Sequence, residues 1–259
     1  MSRLVGMKQH FQTLIGAGAL LLYSGSAISA PKYGPEAKPQ AVPLALDPGY
    51  FQRPAHLAPD YWAMAGFYVA QFNGAACSVA SVTMALNAAR AKLPKTSETR
   101  VVVQQELLKQ VGGEWKKRVA PTLGLSTVRG VTLDLLAKFA EEAFRKNGFP
   151  QASARVVRLD PQDSQSLVRF RADLAMNEKS GDDFILLNFD QKFLTDDTSV
   201  GHIAPVGAYD EASHRVLVME PDREWYEPCW VSDQRLLEAM ATIDSESKKS
   251  RGYVVIQAR

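Results

Sequence analysis

The sequence predicts an α+β fold, with helices in its earlier part and an antiparallel sheet after them. Two observations carry this reading. Before Gly181, four stretches place apolar residues at helical spacing. From Asp183 onward, short apolar or alternating runs bounded by Asp, Gly and Pro take over. Such segregated helices and strands argue for α+β rather than an alternating α/β chain.

The chain opens with MSRLVGMKQH, which carries Arg3 and Lys8 and no acid. An uncharged stretch from Phe11 to Tyr23 follows, then the small residues of SGSAISAP. That order describes a secretory signal peptide over residues 1–30, cut after Ser29 or Ala30, and implies a periplasmic or secreted protein. The apolar run is short of the roughly 20 residues that a membrane-spanning helix needs. Residues 31–60 form a lead-in rich in proline, with Pro31, Pro35, Pro39, Pro43, Pro48, Pro54 and Pro59. Proline at that density predicts an extended segment rather than a helix or central strand. The remainder, residues 61–259, is of a length that suits one domain, with room for two lobes.

Within it, YWAMAGFYVAQF reads as a short helix or a packed loop. The stretch from Cys77 to Ala91 sets Val79, Val82, Leu86 and Ala89 on one stripe, and Pro94 closes that helix. TRVVVQQELLKQVGGEW reads as a second helix ended by Gly112 and Gly113. GVTLDLLAKFAEEAFRKNGF is a third, with Thr132 as N-cap and Gly148 near its end. DPQDSQSLVRFRADLAMNEKSGD is a fourth, with Asp160 or Ser164 as cap. DFILLNF, HIAPVGAYD, HRVLVMEP and YVVIQAR read as strands, the middle pair as a hairpin around DEASH, with one helix in SDQRLLEAMATI.

Composition excludes several functions. The formal charge of +2 becomes about zero once Arg3 and Lys8 leave with the signal peptide, which supports neither nucleic-acid binding nor stable membrane association. Beyond the signal segment only Cys77, Cys229, His56, His202 and His214 remain as soft ligands, and none has C-x-x-C or H-E-x-x-H spacing, so no resident metal site is expected. In an oxidising compartment a Cys77–Cys229 disulfide is the bland alternative.

Cys77 instead opens a helix, where the macrodipole and free N–H groups favour a thiolate. A thiolate nucleophile needs a histidine to move protons and donors aimed at the oxyanion. His202, at the start of a predicted strand and beside Gly201, suits the first task better than His214 in its turn or His56 in the lead-in. The amide of Gln71 and the Cys77 N–H suit the second. Glu220, at the end of the next predicted strand, or Asp222 two residues on, could orient the imidazole.

QFNGAACSVAS, GHIAPVGAYD, the EPDREWYEPCWV block and AMATIDSESKKSRGYVV together resemble the catalytic domain of phytochelatin synthases, and most closely their short bacterial forms. The resemblance implies a papain-like fold with a helical N-terminal lobe, an antiparallel β C-terminal lobe and the active site between them. It implies transfer of the γ-glutamylcysteinyl unit of glutathione through a thioester, with release of glycine and with water or a second glutathione as acceptor. By position the family's nucleophile falls on Cys77, its oxyanion glutamine on Gln71 and its histidine on His202. The family's aspartate eighteen residues after the histidine is here Glu220, a departure that keeps Asp222 as an alternative third member. Asp244 and Arg251 match the family's γ-glutamyl-recognition positions, and an acid with an arginine fork complements a free α-ammonium and α-carboxylate. Gly201 joins this substrate-binding set. No cofactor is obligatory on this reading. Cadmium or zinc could stimulate as glutathione thiolates, and a homodimer is left open. Two further readings compete: a secreted papain-like peptidase on ordinary peptides, and a non-catalytic periplasmic protein that binds glutathione or metal–thiol complexes.

Overall fold

Helices on both faces of one antiparallel sheet make up the molecule. The computed structural model describes residues 31–258 apart from residue 36, residues 121–128 and residue 196, so the expected signal peptide lies outside the described residues. In chain order the elements are β1 (Val42–Pro43), α1 (Pro59–Ala65), α2 (Cys77–Arg90), α3 (Gln104–Gln110), α4 (Gly113–Val119), α5 (Leu133–Lys146), β2 (Ser153–Arg158) and α6 (Ser164–Asn177). There follow β3 (Asp183–Asp190), β4 (Gly201–Asp210), β5 (Arg215–Val218), β6 (Cys229–Ser232), α7 (Asp233–Met240) and β7 (Gly252–Gln257). The strands form a seven-stranded sheet in the order β1-β6-β5-β4-β3-β7-β2, every pairing antiparallel. The result is the α+β, papain-like architecture that the sequence predicts.

Side-chain alternation along β3 shows how the sheet serves two cores. Phe184 and Leu186 pack with α2 and α5 residues such as Leu86 and Phe139. Ile185, Leu187 and Phe189 face the other way, onto Phe170 and Leu174 of α6 and Leu236 and Met240 of α7. The predicted fourth helix, α6, therefore covers the back of the sheet rather than joining the helical lobe. Its N-cap is Asp163, whose side chain accepts from the Gln165 N–H, in place of Asp160 or Ser164.

Helix α2 is buried on every side from Cys77 to Ala89, so its apolar stripe is only the part of a wholly interior helix that the sequence makes obvious. Its polar residues are its anchors. Ser81 Oγ donates to the Ile203 carbonyl at 3.1 Å, and Ser78 Oγ accepts from Trp115 Nε1 at 3.0 Å. Asn87 brackets Val102, donating to its carbonyl at 2.8 Å and accepting from its N–H at 3.0 Å.

Several sequence expectations need correction. The single helix expected in TRVVVQQELLKQVGGEW begins only at Gln104 and ends at Gln110. Gly112, at φ −39 and ψ 151, then starts the separate helix α4. Strands β2 and β6 join the sheet at segments not read as strands. Residues 31–60, expected as an extended lead-in, hold a two-residue edge strand and two short 3-10 turns. Val42 and Pro43 pair with Trp230 and Cys229 at the sheet edge, and Tyr50 is buried against Trp230 with ring centroids 5.1 Å apart. Helix α5 does follow its expectation, with Thr132 accepting from the Leu135 N–H.

Gly252 at the start of β7 has φ +150, and a Cβ there would lie 2.1 Å from the Val157 carbonyl oxygen. Gly252→Ala must therefore force β2 and β7 apart. It is expected to cost about 3 kcal/mol or more in urea unfolding, with the largest amide-exchange gains along β2 and β7.

Candidate active site

The N-terminal end of α2 is built by a tight local turn. Asn73 Oδ1 accepts the Ala75 N–H at 2.9 Å, its Nδ2 donates to the Val119 carbonyl at 2.8 Å, and the Ala76 N–H bonds to the Asn73 carbonyl. Ala76 then stands at the N-cap with no side-chain cap of its own, and Cys77 is the first helical residue. The thiol is nearly buried, at 6% exposure, yet it lines a cavity of about 850 Å³.

His202, the second residue of β4, is also buried, and its Nε2 lies 2.5 Å from Glu220 Oε1. That bond uses one ring nitrogen, and Cys77 is the second polar group whose interaction with the imidazole favours its charged form. Burial works against an imidazolium here. The Glu220 charge and the hydrogen bonds to Cys77 and Glu220 outweigh it and hold the His202 pKa well above the ordinary histidine value. Glu220 is itself fixed: its Oε1 accepts the Asp222 N–H at 2.8 Å, and its backbone carbonyl accepts the Tyr68 hydroxyl. Asp222 thus reaches the dyad through its backbone, not its carboxylate, and it is the glutamate that touches the imidazole. Burial and the Glu220 charge push the Asp222 carboxyl above its usual range.

Gln71 arrives from the Pro221 side. Its N–H donates to the Pro221 carbonyl at 2.8 Å, and the adjoining Ala70 carbonyl accepts from Gln104 Nε2 at 2.7 Å. The Gln71 Oε1 is buried and makes no hydrogen bond among the described residues.

The same cavity has a charged lining. Arg251, 7% exposed, donates from Nη1 to Asp244 Oδ2 at 3.1 Å. Asp244 also accepts the Ser247 N–H at 2.6 Å and the Glu246 N–H at 3.1 Å. Burial opposes its ionisation, but those N–H groups and Arg251 hold its carboxyl below the usual range. Gly201 lies beneath the guanidinium, since a Cβ there would sit 3.2 Å from Arg251 Nη1. Cys77, Gly201, Asp244 and Arg251 all face this one cavity.

A family model described as phytochelatin synthase matches residues 50–253. The chain belongs to the phytochelatin synthase family. Its relatives include a Schizosaccharomyces pombe protein named glutathione gamma-glutamylcysteinyltransferase, 30% identical over 92 residues, which are 36% of this chain and 22% of that protein. Glutathione gamma-glutamylcysteinyltransferase 1 of Arabidopsis thaliana is 37% identical over 59 residues, 23% of this chain and 12% of that protein. The corresponding enzyme 3 of Lotus japonicus is 39% identical over 59 residues, with the same two shares. The aligned part of this chain thus spans about a fifth or less of the length of these curated relatives.

In this member of the phytochelatin synthase family the two cysteines are both free thiols. Cys229 pairs with Pro43 at the sheet edge, and burial pushes its thiol pKa up, so the Cys77–Cys229 bridge is replaced by two separate environments. His214 sits at φ 53 in the β4–β5 turn with half its side chain exposed, as expected of a turn residue. Sequence reasoning missed Asn188 and Asp190 on β3 and Arg129 before α5, all of which line the cavity. The signal for the first two was a pair of polar residues two apart in an otherwise apolar strand, which puts both on one face.

Because Glu220 supplies much of what keeps His202 charged, its removal leaves burial to dominate. Glu220→Gln is expected to move the alkaline limb of the kcat/KM profile to lower pH, and to reduce the maximum at least tenfold. Steady-state rates across pH 5–10 check both the direction and the size.

Proposed function

We propose that the chain is a glutathione γ-glutamylcysteinyltransferase and peptidase working through Cys77. The observation that carries this reading is one cavity lined both by Cys77, which interacts with the His202–Glu220 pair, and by the Arg251–Asp244 pair. An ordinary peptide residue has no free α-ammonium and α-carboxylate together, whereas a γ-linked glutamate does. The charged lining of the cavity favours γ-glutamyl substrates over general peptides.

In this reading the Cys77 thiolate attacks the carbonyl carbon of the Cys–Gly bond of glutathione. The Cys77 N–H and the Gln71 amide face the developing oxyanion. The C–N bond breaks as His202, already charged, gives its proton to the leaving glycine nitrogen, and a γ-glutamylcysteinyl thioester stays on sulfur. His202, now neutral, takes a proton from water or from the amine of a second glutathione as that nucleophile attacks. The products are γ-glutamylcysteine or a chain-extended phytochelatin, with the thiolate regenerated. Glu220 holds the imidazole in the orientation both steps use. Cadmium or zinc enters as a thiolate complex of the substrate. The N-terminal basic and apolar pattern supports a periplasmic or extracellular setting for the reaction.

Glycine release from millimolar glutathione under reducing conditions is expected for the wild type, and a drop of at least a thousandfold for Cys77→Ser. No glycine from the wild type, or cleavage of unrelated peptides at similar rates, overturns the proposal.

A further inference from the structure

A separate cavity, of about 620 Å³, lies between residues 50–57 and the β4–β5 turn. His202 and Asp210 are the second and last residues of the ten-residue strand β4. They stand roughly 25 Å apart along an extended strand, which removes this cavity from the chemistry at Cys77. Its polar lining is acidic, with Glu178, Asp210 and Glu211 set against Tyr50, His56 and Tyr209. Among the described residues that line it, only the exposed Lys179 carries a fixed positive charge.

Two of these acids are short of positive charge. Asp210 is 2% exposed. Its Oδ2 accepts the Ser213 hydroxyl at 2.7 Å, and Arg53 Nη1, on a side chain more than half exposed, stays 3.9 Å away. Its Oδ1 is buried and has no hydrogen-bond partner among the described residues. Glu178 is held by uncharged donors. Its Oε1 accepts the Tyr50 hydroxyl at 2.6 Å and the Ala58 N–H at 3.0 Å, and its Oε2 accepts the Tyr209 N–H at 2.8 Å. Burial outweighs these donors and lifts its carboxyl above the usual range. A buried carboxylate oxygen without a donor is costly unless a cation completes it.

The lining also selects the kind of cation. Among the described residues no three His, Cys, Asp or Glu side chains are arranged to hold a metal ion, so these acids are not gathered around one point. His56 lies against Tyr50 with ring centroids 4.2 Å apart, and its Nδ1 is buried without a hydrogen bond among the described residues. Separated acids beside aromatic faces suit a methylene chain with an ammonium at each end. A ligand carrying its own carboxylate would be repelled by three acids.

We propose that this cavity is a binding site for an aliphatic diamine or polyamine, with one ammonium at Asp210, another at Glu178 and the methylenes against Tyr50 and His56. Glu211 adds attraction from the exposed side of the cavity. The assignment is independent of the glutathione reading.

Isothermal titration of the full chain with 1,4-diaminobutane and with spermidine, in buffer of low ionic strength, tests it. Both are expected to saturate one site, and butylamine, with a single ammonium, to bind about tenfold more weakly or worse. Asp210→Asn is expected to weaken diamine binding about tenfold or more. Glu211→Gln, at an exposed position, should weaken it about two- to fivefold. Glu98→Gln, which removes an exposed acid outside the cavity, should keep the wild-type affinity. Should Asp210→Asn fail to fold by circular dichroism, Glu211→Gln and the butylamine comparison decide the matter. Absence of saturable binding overturns the proposal, as does wild-type affinity in the cavity variants. An equal loss in Glu98→Gln also overturns it, since the attraction would then belong to the whole surface.

Discussion

The hydrogen bond from Ser81 to the Ile203 carbonyl is the contact on which the site depends. Ser81 lies one helical turn beyond Cys77, and Ile203 immediately follows His202, so this bond sets the register between nucleophile and base. Burial of α2 on all sides keeps the helix from rolling or sliding. Its other polar residues are tied to Trp115 and Val102, leaving little freedom at its first turn. A close-packed interior resists small displacements, which suits a thiol that must stay within reach of one imidazole.

The second constraint is electrostatic. Burial works against a charged His202, and the direct contact with Glu220 opposes it, raising the imidazole pKa. Glutamate stands where the resemblance implies an aspartate, and its Oε1 reaches both His202 Nε2 and the Asp222 N–H. Glu220 lies beyond the end of β5 at Val218, in a segment anchored by Tyr68 and by the Gln71–Pro221 bond. The same anchoring ties the Gln71 backbone to the residue after Glu220. One loop therefore holds both Glu220, which bonds the His202 imidazole, and the Gln71 backbone.

What could be read in the sequence followed locality. Helix α5 was legible because its cap and its amphipathic face lie in adjacent residues. Strand β2 was not, because Arg155 and Arg158 break the apolar alternation; they pair with Asp173 and Asp134, acids from other segments. Strand β6 is only four residues long, and the pairing of β1 with it joins segments far apart in sequence. At the site, Cys77 and His202 stood out by residue type and by their places at the ends of predicted elements. The choice of Glu220 over Asp222 required the direction of a side chain. Asp190 lay just past the predicted strand DFILLNF, and only the register of β3 with β4 sets it opposite Gly201.

The central claim is that Cys77 carries the γ-glutamylcysteinyl group between donor and acceptor. Intact-mass spectrometry of protein mixed with glutathione and quenched in acid within milliseconds tests it most directly. The account predicts a mass gain of one γ-glutamylcysteinyl acyl group, located on the peptide containing Cys77 and removed by hydroxylamine. A gain equal to whole glutathione and reversed by a reductant, or no adduct during turnover, would contradict it.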